Sequence, residues 1–124
     1  MIATVAAAAA YQFGYTFGAT KPIAGSVSIR IMDIGAENTV LREDNVQITE
    51  KTSAFEVLKG IADVGYREYP GIGVYITSID NRAETETKWW LYYVNGVLSG
   101  IAANRYIVTD GDNILWKYTS EFPF

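Results

Sequence analysis

Apolar and polar side chains alternate along the first clearly patterned stretch of the chain, SVSIRIMD. Val27, Ile29 and Ile31 point to one side of the backbone, and the residues between them point to the other. A period of two residues is typical of a β-strand with one buried face. The turn-forming residues GAEN follow, and NVQIT then predicts a second short strand at Asn45–Thr49.

The next stretch, TSAFEVLKGIADVG, changes to the spacing of a helix. Ser53 and Glu56 form a capping box, in which each side chain accepts a hydrogen bond from an open backbone N–H. Gly60 weakens the helix from within, and Gly65 is the expected stop. The pattern predicts one amphipathic helix from Ser53 to Val64, with these apolar side chains on one face: Ala54, Val57, Leu58 and Ile61.

The second half of the chain returns to short strands. A loop is predicted at Tyr66–Gly73, around Pro70. Asn95 and Gly96 are a strong signal for a two-residue hairpin turn with both residues at positive φ. Polar residues, NRAETETK, and an Asp-Gly turn separate the other elements. Strands are predicted at Val74–Asp80, Trp89–Val94, Tyr106–Val108 and Asn113–Thr119.

The order strand, strand, helix and then several strands predicts an α+β fold of the β-grasp type. In such a fold a mixed sheet has one apolar face, and a single helix covers it. Leu58 of the helix is expected to be buried against Ile29 and Ile31. We assign residues 25–124 to this domain and residues 1–24 to an apolar N-terminal arm.

The arm is uncharged from Met1 to Thr20 and is dominated by alanine. It lacks the basic residues that begin an export signal, and it is a poor match to a membrane-spanning helix. One interpretation is the remnant of an export or anchor segment. The other is an ordered part of the mature protein that packs on its own domain or on a neighbouring copy. Self-association would then use Val5, Tyr11, Phe13, Tyr15 and Phe17.

The overall composition argues against several classes of function. The net charge is −4 and basic residues form no run, which argues against binding of nucleic acid. The chain has no Cys and no His, so thiol nucleophiles, Ser–His and Cys–His catalysis and the usual zinc ligands are absent. We therefore expect a protein that is not an enzyme and that carries no cofactor.

Several motifs together resemble a known family. They are TSAFEVLK, WLYYVNG at Trp90–Gly96, the single residues Gly100 and Tyr106, DGD at Asp110–Asp112, and WKY at Trp116–Tyr118. This set resembles the transcobalamin-like C-terminal domain family. The resemblance spans residues 25–120 and does not include the arm.

The resemblance implies a small extracytoplasmic β-grasp module of unknown function. Members of this family are typically exported and are often lipid-anchored or attached to larger surface proteins, and no catalytic activity is associated with the fold. In the cobalamin carriers, the equivalent domain caps a corrinoid together with a helical domain. No such helical domain is present in this sequence, and no histidine is available for cobalt. Cobalamin therefore stays an alternative ligand only.

The strand WWLYYV carries aromatic side chains on both faces. Trp90 and Tyr92 share one face, and Trp89 and Tyr93 share the other. The second face is either covered by the arm or by the curl of the sheet, or it binds a flat apolar ligand or another protein chain, for which Trp and Tyr are suited. The candidate residues for ligand or partner binding are Trp89, Trp90, Tyr92, Tyr93, Tyr106 and Trp116.

The DGDN turn offers the candidate metal ligands. Asp110 and Asp112 carry oxygens that suit Ca²⁺, but their spacing does not match a complete calcium loop. A tight turn explains the same residues. We therefore expect no bound metal.

Two hypotheses for the function remain. The first is a non-catalytic extracellular or cell-surface module that mediates binding or self-assembly, for example as a subunit of a homopolymeric surface structure. Its partners would be copies of itself or a larger surface protein, with membrane contact only through an N-terminal anchor. The alternative is a monomeric module that binds cobalamin or another flat apolar ligand.

Overall fold

The computed structural model of the protein describes residues 23–121. Among them, strands predominate and one short helix interrupts their order. In chain order the elements are β1 (Ile23–Ile34), β2 (Asn38–Thr49), α1 (Ala54–Ile61), β3 (Val64–Tyr69), β4 (Gly73–Ile79), β5 (Arg82–Ala83), β6 (Trp89–Val94), β7 (Val97–Leu98) and β8 (Asn113–Thr119).

The first two strands are longer than the sequence pattern predicted. They form one antiparallel ladder in which Ile34 pairs with Asn38 and Ile23 pairs with Thr49. The first half of β2 is mostly exposed and therefore shows no alternation of apolar and polar residues. Its strand conformation comes from backbone pairing with β1, which composition alone does not reveal.

Helix α1 begins at the predicted cap. Ser53 Oγ accepts a hydrogen bond from the Glu56 amide at 3.1 Å, and Glu56 Oε1 accepts one from the Ser53 amide at 2.9 Å. The predicted end at Val64 is wrong, because Ala62 is already extended and caps the helix. Gly65 lies in β3 instead of stopping the helix. Among residues 23–121, no helix has the length and apolar character needed to cross a bilayer.

The second half of the chain contains one strand that was predicted as loop. Residues 66–69 belong to β3, because their backbone pairs with β4, and only the turn around Pro70 remains of the predicted loop. By contrast, β6 and β8 have the predicted bounds. The strand predicted at Tyr106–Val108 is reduced to a single bridge between Ile107 and Ser53.

The turn between β6 and β7 has the predicted geometry. Asn95 has a φ of 52° and Gly96 a φ of 85°, so both central residues are left-handed. This geometry suits the right-handed twist of the two strands that it joins. Glycine at the second position accepts this conformation without a steric cost.

The strands form two sheets. The larger has the order β2-β1-β8-β6-β7, and the smaller has the order β3-β4-β5. In the larger sheet, β1 and β8 run parallel, and all other neighbours run antiparallel. A mixed sheet packed on one helix confirms the predicted α+β class, whereas the smaller sheet was not predicted.

The core lies between the larger sheet on one side and α1 with the smaller sheet on the other. Leu58 is fully buried in the same apolar cluster as Ile29 and Ile31, as predicted. We call the face of the larger sheet that lines this core the inner face, and the opposite face the outer face. The inner face carries Val27, Ile29, Ile31, Trp90, Tyr92, Ile114 and Trp116.

Candidate binding surface

Strand β6 places aromatic rings on both faces of the larger sheet, and the inner-face rings belong to the core. Trp90 is 3% exposed and Tyr92 is 7% exposed. Each stacks on a ring of the adjacent strand β8, Trp90 on Tyr118 at 4.9 Å between centroids and Tyr92 on Trp116 at 4.8 Å. Stacked pairs of this kind add to the stability that burial provides.

The polar ends of these rings are mostly satisfied inside the domain. Trp90 Nε1 donates to the Arg82 carbonyl oxygen at 2.8 Å, and the Tyr92 hydroxyl donates to the Ile101 carbonyl oxygen at 2.6 Å. Burial raises the pKa of Tyr92 above its ordinary value. The indole N–H of Trp116 is buried and has no hydrogen-bond partner among the described residues. These three rings are therefore interior residues.

The outer face carries a second row of apolar side chains. Tyr93 on β6 lies directly opposite Leu115 on β8, and Leu91 lies opposite Lys117. The Lys117 ammonium lies 4.6 Å from the centre of the Tyr93 ring, which is a favourable cation–π distance. Met32 on β1 is the neighbour of Lys117 on the other side. We call these half-buried apolar side chains the outer patch: Met32, Trp89, Leu91, Tyr93 and Leu115.

Within residues 23–121, the other layers of the fold lie on the inner side. The buried residues of α1 and β4 belong to the core cluster that the inner face lines. The core cluster of this range contains none of the outer-patch side chains. Met32, Leu91, Tyr93 and Leu115 keep part of their surface exposed, whereas Trp89 Nε1 and the neighbouring Thr119 are buried. The uncovered face of a one-sided sheet is usually polar. An apolar face in this position is typical of a contact site.

A small apolar pocket opens where β4 and β6 approach each other. Its volume is about 120 Å³, and Tyr75 and Ile101 at its rim are 39% and 49% exposed. Pockets for drug-sized ligands have volumes of roughly 300–1,000 Å³, so this one suits a single apolar side chain. The lining includes Val74, Ile76, Trp90, Tyr92, Ile101 and Trp116.

The carboxylate of Asp112 is buried in the turn before β8 and is fully engaged. Its Oδ2 accepts hydrogen bonds from the Tyr106 hydroxyl at 2.8 Å and from the Thr109 amide at 2.9 Å. Its Oδ1 accepts one from Asn95 Nδ2 at 3.0 Å, which ties this turn to the β6–β7 hairpin. The arrangement explains the DGDN sequence as a structural turn.

The same hydrogen bonds shift two pKa values in opposite directions. Burial by itself would raise the pKa of Asp112, but the hydrogen bonds from Thr109, Asn95 and Tyr106 outweigh it and hold the pKa below its ordinary value. Burial and the hydrogen bond to the Asp112 carboxylate raise the pKa of Tyr106 to about 12. Both groups therefore keep their ordinary charge at neutral pH.

Asp110 fastens the turn to the beginning of β1. Its Oδ1 accepts a hydrogen bond from the Ser26 amide at 2.9 Å, and the Gly111 amide donates to the Ser26 carbonyl oxygen at 2.8 Å. Gly25 has a φ of 142°, and a Cβ there would collide with Asp110. Among residues 23–121, no group of three or more acidic side chains could hold a metal ion. The expected absence of a metal stays a prediction.

The structure separates the residues that the sequence predicted for binding. Trp89 and Tyr93 lie on the outer face, whereas Trp90, Tyr92 and Trp116 lie in the core. Tyr106 lies apart from both groups, bonded to Asp112 in the turn. The arm residues Val5, Tyr11, Phe13, Tyr15 and Phe17 lie outside the described residues. Binding by any of these residues stays a prediction.

The prediction missed three members of the outer patch, Met32, Leu91 and Leu115. A signal was present, because Leu115 and Lys117 alternate with buried residues along the stretch NILWKYT. That alternation does not by itself say which face becomes the outer one. The outer face of β8 can be assigned only once α1 and the smaller sheet are placed, because both pack against the inner face.

Comparisons with known proteins bear on the family and the fold. Residues 51–120 match the model of a family described as a domain of unknown function, DUF4430. A search of curated proteins finds no match to the chain. One similar solved structure is a protein from Ruminococcus gnavus ATCC 29149, provisionally described as metal binding. It is 19% identical with a TM-score of 0.57, and the match covers 79% of this chain and 99% of that chain.

A second similar structure is haptocorrin in complex with Cbi. It is 17% identical with a TM-score of 0.61, and the match covers 87% of this chain. The chain spans only 27% of the length of the haptocorrin chain. At these identities the likenesses concern the fold alone. They support the transcobalamin-like fold that the sequence motifs indicated.

Proposed function

The chain belongs to the DUF4430 family, and on this premise we propose that it is a non-catalytic extracytoplasmic binding module that assembles with copies of itself through the outer patch. One observation carries the proposal. The outer face holds a row of apolar side chains that lie outside the core cluster of residues 23–121, and Met32, Leu91, Tyr93 and Leu115 of this row keep part of their surface exposed. Covering this row would remove apolar surface from water at about 25 cal/mol per Å².

The chemistry of this face suits a second copy. Sheets pack face to face with their strands nearly aligned, and two copies related by a twofold axis would each offer the same patch. Tyr93 and Met32 are of residue types that are enriched at protein interfaces. Lys117 lies over the Tyr93 ring, and its apolar stem extends the patch while its charge stays at the surface.

The non-catalytic part of the proposal has its own support. The chain contains no His and no Cys. The Asp112 carboxylate of the DGDN turn accepts a hydrogen bond from the Tyr106 hydroxyl and so has a structural role. The location outside the cytoplasm and a larger surface protein as partner rest on the sequence resemblance alone.

A monomeric ligand-binding module is the second candidate. The apolar pocket beside Ile101 and the likeness of the fold to part of haptocorrin favour it. A pocket of about 120 Å³ is too small for a corrinoid. Cobalamin or another large flat ligand would therefore need a surface other than this pocket, and on the outer patch it would compete with a second copy.

Replacement of Tyr93 by serine tests the proposal. The wild type is expected to associate with increasing concentration, and Tyr93→Ser is expected to weaken association by roughly tenfold or more, the effect of losing one central interface aromatic. Light scattering after size-exclusion chromatography over a concentration series measures the change.

Tyr69→Ser is the matched control, because Tyr69 is 43% exposed and lies on the smaller sheet. It should leave the association unchanged. Urea unfolding of both variants checks that the fold is intact, and Leu91→Ser repeats the test on the same patch. A wild type that stays monomeric at every concentration would refute self-assembly and leave the ligand-binding module as the better explanation.

A further inference from the structure

The loop that follows β7, residues 99–103, forms one wall of the apolar pocket between β4 and β6. The beginning of this loop is bonded to β6. The Ser99 amide donates to the Tyr92 carbonyl oxygen at 3.0 Å, and the Tyr92 hydroxyl donates to the Ile101 carbonyl oxygen at 2.6 Å. One residue of β6 therefore holds this part of the wall with both its backbone and its side chain.

The end of the loop is bonded to α1 and to β4. The Phe55 amide donates to the Ala103 carbonyl oxygen at 3.0 Å, and the Val74 amide donates to Asn104 Oδ1 at 2.9 Å. Gly73 has a φ of 127°, and a Cβ there would collide with the loop. Because three elements fix the loop, the pocket beside it is preformed, and a ligand would not have to open it.

The walls of the pocket offer few hydrogen bonds to a ligand. Trp90 Nε1 and the Tyr92 hydroxyl already donate to backbone carbonyl oxygens. The Ser99 hydroxyl is shared with backbone atoms of its own loop, and the indole N–H of Trp116 is buried. An ordered water needs two to four polar partners, so these walls favour an apolar occupant over water. Residues of the core cluster supply most of the lining: Val74, Ile76, Trp90, Tyr92, Ala103 and Trp116.

The volume of the pocket sets the size of that occupant. Protein interiors contain few voids larger than a water molecule, and this one measures about 120 Å³. An apolar cavity of about 150 Å³ in another protein binds benzene. The rim residue Ile101 is 49% exposed, so the pocket is open to solvent.

We infer that the pocket between β4 and β6 is a binding site for one compact, uncharged apolar molecule, such as a ring of about six carbon atoms. Binding would remove the molecule and the walls from water and would fill a space in which the walls lack contact atoms. A charged or strongly hydrated molecule of the same size is excluded, because these walls would not replace its lost hydration. The inference does not rest on the proposed self-assembly.

Titration with benzene tests the inference, with pyrazine as the matched control. The two rings have the same shape, but the nitrogens of pyrazine are hydrated in water. We expect benzene to shift the NMR methyl signals of Val74 and Ile76 until they saturate, and pyrazine to bind at least about tenfold more weakly. The methyl signals of Ile72 should not move, because Ile72 is 68% exposed and does not line the pocket.

Replacement of Ile76 by phenylalanine tests the location. The larger side chain takes up space in the pocket, and Ile76→Phe should weaken benzene binding at least about tenfold. Ile72→Phe makes the same chemical change outside the pocket and should leave the binding unchanged. Urea unfolding checks that both variants are folded. If Ile76→Phe does not fold, Val74→Leu provides a smaller filling change at the same wall.

An enlarged pocket provides a second measurement. Val74→Ala removes two methyl groups from the wall and should shift the preference from benzene towards toluene. Absence of saturable benzene binding to the wild type would overturn the inference. So would equal binding of benzene and pyrazine, or equal weakening by Ile76→Phe and Ile72→Phe.

These outcomes are distinguishable from failure of the proposed function. Tyr93 does not line the pocket, so Tyr93→Ser should leave benzene binding unchanged. If benzene binds and the wild type is monomeric at every concentration, the inference stands and self-assembly falls. If benzene does not bind and Ile76→Phe weakens association, the pocket holds a side chain of a second copy and the inference falls.

Discussion

At the scale of single residues, the Asp112 carboxylate in the turn before β8 accepts hydrogen bonds from three residues. Because hydrogen bonds lower its pKa, its contribution to stability is present above the ordinary pKa of 3.8 and is lost as the pH falls through the lowered value. Asp112→Asn should reduce the free energy of unfolding by about 1–3 kcal/mol near neutral pH, since charged acceptors are lost. The difference from wild type should shrink on acidification below the ordinary pKa. Urea unfolding across this pH range measures it.

The matched control for this variant is Glu86→Gln, which removes one exposed carboxylate from the polar loop before β6. It should change the stability near neutral pH by no more than about 0.5 kcal/mol, as is usual for surface substitutions. A stability loss in Asp112→Asn that is the same at every pH would contradict the argument, because a neutral defect of packing would then explain it.

At the scale of elements, α1 is held to the larger sheet by one buried row. Leu58 is fully buried, and Leu58→Ala should lower the free energy of unfolding by about 2–5 kcal/mol, because truncation leaves a cavity between helix and sheet.

Gly60 is exposed on the same helix with open space around it. Gly60→Ala should therefore stabilise the protein by about 0.4–1 kcal/mol. Urea unfolding measures whether Leu58→Ala lowers and Gly60→Ala raises the free energy of unfolding. A loss below about 1 kcal/mol for Leu58→Ala would mean that the helix packs loosely.

At the scale of the whole molecule, half of the acids pair with a cation or a backbone amide, and within residues 23–121 no group of three or more acids could hold a metal ion. Asp33, for example, lies 2.6 Å from Lys88 Nζ, and Arg67 lies 2.7 Å from Glu84. Excess EDTA should therefore leave the melting temperature unchanged, since a bound ion would raise it by mass action. A fall in melting temperature that Ca²⁺ restores would contradict this and make Asp110 and Asp112 the first ligands to test. Addition of Ca²⁺ without EDTA is the control.

The sequence determined the features that depend on neighbouring residues. The capping box of Ser53 and Glu56 and the left-handed turn at Asn95 and Gly96 follow from side chains and dihedral angles within a few positions. The bounds of β6 and β8 follow from short runs rich in aromatic and β-branched residues between clear turn signals. These are local effects, and the predictions for them are confirmed.

Only the tertiary structure decided what depends on residues far apart in the chain. The first half of β2 and all of β3 are strands because a partner strand satisfies their backbone, and no side-chain pattern records that pairing. The sequence placed Trp89 and Tyr93 together on one face of β6 but did not show that this face is the outer one. Leu115 and Met32 join them there because β8 lies between β1 and β6. That neighbourhood arises from backbone hydrogen bonds between distant strands, and burial of the inner rings under α1 and the smaller sheet then fixes which row stays outside.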